Sequence, residues 1–185
     1  MTATVFAIST TGLPDFRKSA ADPGQPRIIA VAAHLFSPKW VEQGSFHGIT
    51  RAEDGVSSAE ARAVHGITER ERELYGIEIR MLMSYLMRFI RHSKEVACFN
   101  IGFVKFMIDV ELHRLDADAR DWNRGGMQRT CLLEEAGRRY NAGRVMTIQA
   151  AHDAAVGIEY HQPERAKHVY DARAAARMIM EMRRV

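Results

Sequence analysis

The residues that could bind a metal ion or transfer protons lack the spacing of an ordinary metal site. Cys98 and Cys131 are the only two cysteines, and neither belongs to the CxxC pair typical of zinc sites. Two cysteines also cannot form a disulfide framework, so we expect two free thiols in a reducing compartment. No ligand spacing links four of the histidines, which we expect to be structural: His34, His47, His152 and His161.

Arginines are concentrated in residues 120–144, and two aromatic residues, Trp122 and Tyr140, lie among them. The basic residues are Arg120, Arg124, Arg129, Arg138, Arg139 and Arg144, against the acidic Asp121, Glu134 and Glu135. Basic side chains interleaved with aromatic rings suit single-stranded nucleic acid, whose phosphates attract cations and whose bases stack. A solvated charged surface is the alternative, and the sequence leaves both interpretations open.

The composition is that of one ordinary globular domain spanning residues 1–185. The 185 residues are 46% hydrophobic and 26% charged, with a net charge of +3. Wholesale disorder is therefore excluded, and the positive excess is too mild to identify a partner. No stretch reaches the ~18 apolar residues of a spanning helix, and the apolar start lacks a basic leader. We expect a cytoplasmic protein without a membrane partner.

The elements that position these residues change character along the chain. Apolar runs at residues 4–8, 28–36 and 45–50 predict three strands joined in an antiparallel meander, because the connections are too short for parallel crossovers. Helical periodicity follows, with a capping-box spacing at Ser57 and an amphipathic stripe over residues 77–90. Further elements are expected at these positions: a strand at 96–99, a helix with Phe103, Phe106, Met107 and Val110 on one face, a strand at 127–132 and two final helices, the last after Asp171.

Five segments in order resemble motifs of the DEDDh 3′–5′ exonucleases, which include proofreading subunits of bacterial replicative polymerases and ribonuclease T. They are residues 5–14 (VFAISTTGLP), 64–68 (VHGIT), 99–103 (FNIGF), 111–115 (ELHRL) and 170–173 (YDAR). The resemblance covers nearly the whole chain. It implies a ribonuclease-H-like α/β fold with a mixed central β-sheet flanked by α-helices.

In this family two Mg²⁺ or Mn²⁺ ions clamp the scissile phosphate. Four acidic residues supply the carboxylates that bind the ions, and one histidine acts as the general base. Aligned onto this chain, the first three carboxylates fall on Ala7, Ser9 and Val104. The histidine falls on Ala166, and only Asp171 retains its acid. One carboxylate cannot hold two divalent ions beside a polyanion. The resemblance therefore implies a degenerate site without catalytic residues, metal or other cofactor.

Three other residues could rebuild such a site, but none lies where the family has a catalytic group, and Glu111 matches a family position that is ordinarily structural. His168 lies three residues before Asp171, which places both on one helix face, but it is displaced from the family histidine. Asp109 and Glu111 lie on the helix beyond Val104 rather than in the turn where a third carboxylate belongs.

The family also grips the 3′ end of a strand with groups that bind no metal. The resemblance assigns nucleic-acid binding to residues in three segments: Thr11, Gly12, Leu13, His65, Ile67, Asn100 and Phe103. The alternative is that the glycines form tight turns while Leu13 and Ile67 pack in the core.

Three functional hypotheses follow, in order of preference. The first is a catalytically inactive exonuclease-like protein that binds single strands or 3′ ends of nucleic acid without cleaving them. The second is a protein-interaction module that docks on, or inhibits, a nucleic-acid-processing complex. The third is an active exonuclease with an unconventional metal set.

Overall fold

The computed structural model describes residues 2–140, 147–159 and 167–183. The strands are β1 (Ala3–Thr10), β2 (Ile28–Phe36), β3 (Glu42–Ile49), β4 (Glu95–Cys98) and β5 (Gln128–Cys131). The helices of the described residues are α1 (Ala59–His65), α2 (Glu69–Tyr75), α3 (Ile79–Arg91), α4 (Ile101–Arg114), α5 (Leu132–Tyr140), α6 (Ile148–Val156) and α7 (Lys167–Arg183). A 3₁₀ turn spans Ala52–Asp54.

The strands form one mixed sheet in the order β3-β2-β1-β4-β5. Strands β1, β2 and β3 pair antiparallel, which confirms the predicted meander. Strands β4 and β5 follow helices and pair parallel, β4 beside β1 and β5 beside β4. The predicted fold class, a mixed sheet flanked by helices, is confirmed.

The two faces of the sheet support separate apolar cores, because successive residues of a strand point to opposite sides. Phe6 of β1 packs with Leu82 of α3 and Met107 of α4. Its neighbour Val5 packs on the other face, with Ile179 of α7. Helices therefore cover both faces, and the carboxyl end of β1 is left between α1, α4 and α7.

Helix α3 confirms the predicted amphipathic stripe, including its methionine. Five residues at spacings of three and four are buried in the core: Ile79, Leu82, Met83, Leu86 and Ile90. The predicted face of α4 is wrong in part. Met107 and Val110 are buried as predicted, and Phe103 and Phe106 are half-buried and pack against the core, but the buried face also includes Val104 and Ile108, which were not predicted.

Helix boundaries also differ from the sequence prediction. Helix α1 begins one residue later than expected, because the Ser58 hydroxyl accepts the cap bond from the Ala61 N–H at 3.1 Å, while Ser57 is buried. Helix α7 begins at Lys167, so Asp171 lies inside it. Among residues 2–140, 147–159 and 167–183, three helices follow β5 rather than the two predicted, and α2 was not predicted. None of the described helices combines the length and apolar character needed to span a membrane.

Candidate functional site

A cavity of about 440 Å³ lies at the carboxyl end of β1, bounded by α1 and by the first residues of α4, α6 and α7. Its walls include Ser9, Gly12, Leu13, Glu60, Val64, His65, Phe103, Ile148, Lys167 and Asp171. A smaller cavity of about 120 Å³ shares Phe103, Ile148 and Asp171 with it and is also lined by Ala7 and Val104. The topology thus gathers Ala7, Ser9, Val104 and Asp171 around one place, as the resemblance implies. Ala166 lies outside the described residues.

The turn after β1 is fixed by hydrogen bonds to its neighbours. The Thr11 N–H donates to the Arg27 carbonyl at 2.9 Å, and the Thr11 hydroxyl accepts from the Arg27 N–H at 2.9 Å. The Ser58 N–H donates to the Thr11 carbonyl at 2.9 Å, which joins the turn to α1. These bonds engage the N–H, carbonyl and hydroxyl groups of Thr11, which does not line the cavity. Leu13, two residues on, projects from the turn with 88% of its surface exposed. Leu13 is therefore not a core residue.

An ion pair between Arg27 and the buried Glu111 stabilises this turn. Glu111 of α4 is fully buried and accepts hydrogen bonds from Arg27 Nε at 3.0 Å and from the Ile28 N–H at 2.9 Å. The same Arg27 backbone holds Thr11. Glu111 thus connects α4 to the start of β2 and is committed to structure, so it is not available to bind a metal.

His65 forms another wall of the cavity and carries a buried donor. Its Nδ1 accepts a hydrogen bond from the Ile67 N–H at 2.9 Å. Burial, followed by the charge of Arg72, lowers the pKa of His65 to about 4, so the ring is neutral at pH 7. The proton must then be on Nε2, which is buried without a hydrogen-bond partner among the described residues.

Ile67 and Asn100 have structural roles and do not line the cavity. Ile67 is buried against Ile29 and Ala30 and lines neither cavity. Asn100 adopts a left-handed conformation at φ 67° and caps α4, its side-chain oxygen accepting from the Phe103 N–H at 3.3 Å. That cap fixes the start of α4 and thereby places Phe103 in the wall of the cavity.

The nearby histidine of α7 does not contribute to the cavity lining. His168 is 4% exposed, and neither of its ring nitrogens has a hydrogen-bond partner among the described residues. Burial, with His47 and His65 nearby, lowers the pKa of His168 to about 4. Asp171, one turn further on, does line the cavity.

The donor set does not fit the two-metal site of the resembled family. Ala7 and Val104 offer no ligand atom, and the Ser9 hydroxyl is a poor substitute for an anion. Asp109 is engaged by Lys105 at 2.6 Å and by Trp122 Nε1 at 3.0 Å. Across residues 2–140, 147–159 and 167–183, no group of three or more histidine, cysteine, aspartate or glutamate side chains is placed to hold a metal ion.

The position of Trp122 contradicts the interpretation that its ring stacks on a nucleic-acid base. Its ring is fully buried, with the guanidinium of Arg129 over it at 5.2 Å, so it cannot stack on a base. Burial beneath an arginine and a bond to Asp109 are long-range features that the local sequence does not indicate.

Comparison with known proteins gives matches in structure alone. No family model and no curated protein matches the sequence. The structure of exonuclease I matches with a TM-score of 0.77 and 18% identity, over 98% of this chain and 40% of that chain. The zinc-bound complex of E. coli exonuclease I with single-stranded DNA matches with a TM-score of 0.75 and 16% identity, over 99% of this chain and 41% of that one. The fold is that of an exonuclease.

The exonuclease likeness concerns the fold, because the sequence identities are below a fifth. This chain spans about two fifths of the length of the exonuclease I chains that it matches. A third match, with a TM-score of 0.75, is E. coli exonuclease I bound to the oligonucleotide 5cy-dT13.

Several cavity residues were not among the sequence-predicted site residues, among them Glu60, Val64, Ile148 and Lys167. Lys167 donates from Nζ to the Ala63 carbonyl at 3.2 Å and so joins α7 to α1. Glu60 stands in the first turn of α1, where the sequence indicates only a helix cap. Their shared location depends on how α1, α6 and α7 pack, which the motifs do not encode.

Proposed function

We propose that this protein is a non-catalytic exonuclease-like protein that binds single-stranded nucleic acid, or its 3′ end, without cleaving it. The observation that carries the proposal is the composition of the candidate cavity. Its walls retain Gly12, Leu13, His65 and Phe103, while the positions of three metal-binding carboxylates are held by Ala7, Ser9 and Val104.

The dimensions and chemistry of the cavity suit a terminal nucleotide. A volume of about 440 Å³ lies within the range of small-ligand sites, and most of the walls are apolar, which favours a base. Leu13 offers an exposed apolar side chain at the rim, and His65 forms part of the wall. Solved structures of exonuclease I with single-stranded DNA or an oligonucleotide share the fold.

The absence of cleavage follows from the missing anions. Each ~1.36 kcal/mol of lost transition-state stabilisation costs tenfold in rate, and the metal clamp supplies several kcal/mol. Removing carboxylates also removes repulsion of the phosphates, so binding without a metal ion is compatible with this site.

Leu13→Asp is expected to weaken binding of a labelled single strand in EDTA by about tenfold or more, because it replaces an apolar contact with a charge facing phosphates. Val41→Asp is the matched control, since Val41 is also exposed (58%) and lies between β2 and β3. Fluorescence anisotropy at two salt concentrations measures both. Equal losses in the two variants, or no binding by the unmodified protein at low micromolar concentration, would contradict the proposal.

A second candidate function is docking on a protein of a nucleic-acid-processing complex. It is favoured by exposed apolar side chains on α1 and α2, namely Val64, Leu74 and Tyr75. The titration above separates the two functions, because a protein-docking module would show no strand affinity that depends on Leu13.

A further inference from the structure

An arginine-rich cleft of about 640 Å³ lies along β5, between that strand, α5 and the last turn of α7. Strand β5 is the last strand of the described sheet, so only one of its edges is paired, with β4. We call this site the arginine cleft. The charged side chains that line it are Arg129, Arg138, Arg139, Arg183, Glu134 and Glu135.

The cleft has an excess of positive charge after its ion pairs are counted. Arg183 is compensated, because it contacts Glu135 and Glu95 at 3.2 Å each. Within the described ranges, no ion pair engages Arg129, Arg138 or Arg139. Those three cations stand against the exposed carboxylate of Glu134 and against the second of the two carboxylates that Arg183 contacts, which leaves an excess of about one positive charge.

Two of these arginines are also held in place. Arg139 donates to the Met182 carbonyl at 2.6 Å, and Arg129 donates to the Trp122 carbonyl while lying over the Trp122 ring. The Arg129 Nε is buried without a hydrogen-bond partner in the described part of the chain. Guanidinium groups positioned in this way are suited to phosphate oxygens.

The candidate cavity has no comparable excess of positive charge. Its wall has one basic side chain, that of Lys167, together with the carboxylates of Glu60 and Asp171. A cavity of that balance does not attract phosphates, so a strand whose terminal nucleotide lies there needs cations elsewhere. The two sites lie at opposite ends of α7: Asp171 lines the cavity, and Arg183, about 18 Å further along the helix, lines the cleft.

We propose that the arginine cleft binds the phosphates of the same strand whose 3′ end occupies the candidate cavity. This inference rests on the proposed function and adds the path that the strand follows. It assigns affinity to Arg138 and Arg139 of the cleft and recognition of the terminal nucleotide to the cavity.

The test uses the double variant Arg138→Gln/Arg139→Gln with oligo-dT of about three and about twelve nucleotides in EDTA. We expect the variant to bind the longer oligomer about tenfold more weakly. The plot of log affinity against log salt concentration should have a slope shallower by roughly 1.4, because each of the two lost phosphate contacts contributes ~0.7. Binding of the shorter oligomer should not change. The matched control is Arg17→Gln/Arg120→Gln, since both side chains are 91% exposed and the net charge falls equally.

The possible results separate this inference from the proposed function. If the unmodified protein binds neither oligomer, both fail. If it binds them but the cleft and control variants behave alike, the inference alone is overturned. Binding of a polyglutamate peptide that depends on Arg138 and Arg139, without any effect of these residues on the longer oligomer, would overturn it in favour of an acidic protein partner.

Discussion

Replacing Glu111 with alanine is expected to lower the free energy of unfolding by about 3–5 kcal/mol. The carboxylate is fully buried, and its removal leaves the Arg27 guanidinium and the Ile28 N–H without their acceptor. Because Arg27 also holds Thr11, the turn that carries Leu13 should loosen, and strand binding should weaken in the fraction that stays folded. Urea unfolding followed by circular dichroism measures the loss of stability.

The control for Glu111 is an exposed ion pair. Asp118 contacts Arg120 at 2.6 Å at the surface, so Asp118→Ala should lower the free energy of unfolding far less than Glu111→Ala. A loss for Glu111→Ala as small as that for Asp118→Ala would show that the buried pair does not support the turn.

Acidification is expected to destabilise the protein between about pH 6.5 and pH 4. The pKa of His65 and that of His168 are both lowered to about 4 in the folded state, chiefly by burial, against an ordinary value of 6.5. In this window the unfolded chain binds protons that the folded chain does not, so stability rises with pH and is lost as pH falls. The difference corresponds to ~3 kcal/mol for each histidine once the pH reaches 4.

His168→Leu isolates this contribution from that of titrating carboxylates. Burial is the main cause of the lowered pKa of His168, with smaller contributions from the charges of His47 and His65, and leucine in its place cannot be protonated. The variant should lose about half of the pH dependence between 6.5 and 4, whereas His92→Gln, at an exposed position, should retain all of it. Parallel curves of unfolding free energy against pH for His168→Leu and the unmodified protein would rule out this explanation.

The sequence predicts the sheet well, because local apolar runs and short connections determine it. The run at 28–36 coincides with β2 (Ile28–Phe36), and the meander follows from connections too short for a crossover. The gathering of Ala7, Ser9, Val104 and Asp171 was also predictable, since the motifs lie in the order of a known fold. These features depend on local pattern or on the order of the motifs.

Features that depend on packing between distant segments could not be predicted. In the sequence Trp122 lies among arginines, which suggests an exposed ring. In the structure the ring is buried and donates a hydrogen bond to Asp109, thirteen residues away. Lys167 and Glu60 meet at the cavity because α7 packs beside α1. Within the described part of the chain, the Nε2 of His65 and both ring nitrogens of His168 lack hydrogen-bond partners because of the same packing, and no spacing in the sequence indicates it.

The most direct measurement compares strand affinity and strand length in EDTA and in Mn²⁺ on one sample. A 5′-labelled single strand should bind with the same Kd in both buffers and remain full-length, because the donors around Asp171 do not form a two-metal site. Shortening of the strand in Mn²⁺ that is absent in EDTA, and that Asp171→Asn abolishes, would contradict the central claim.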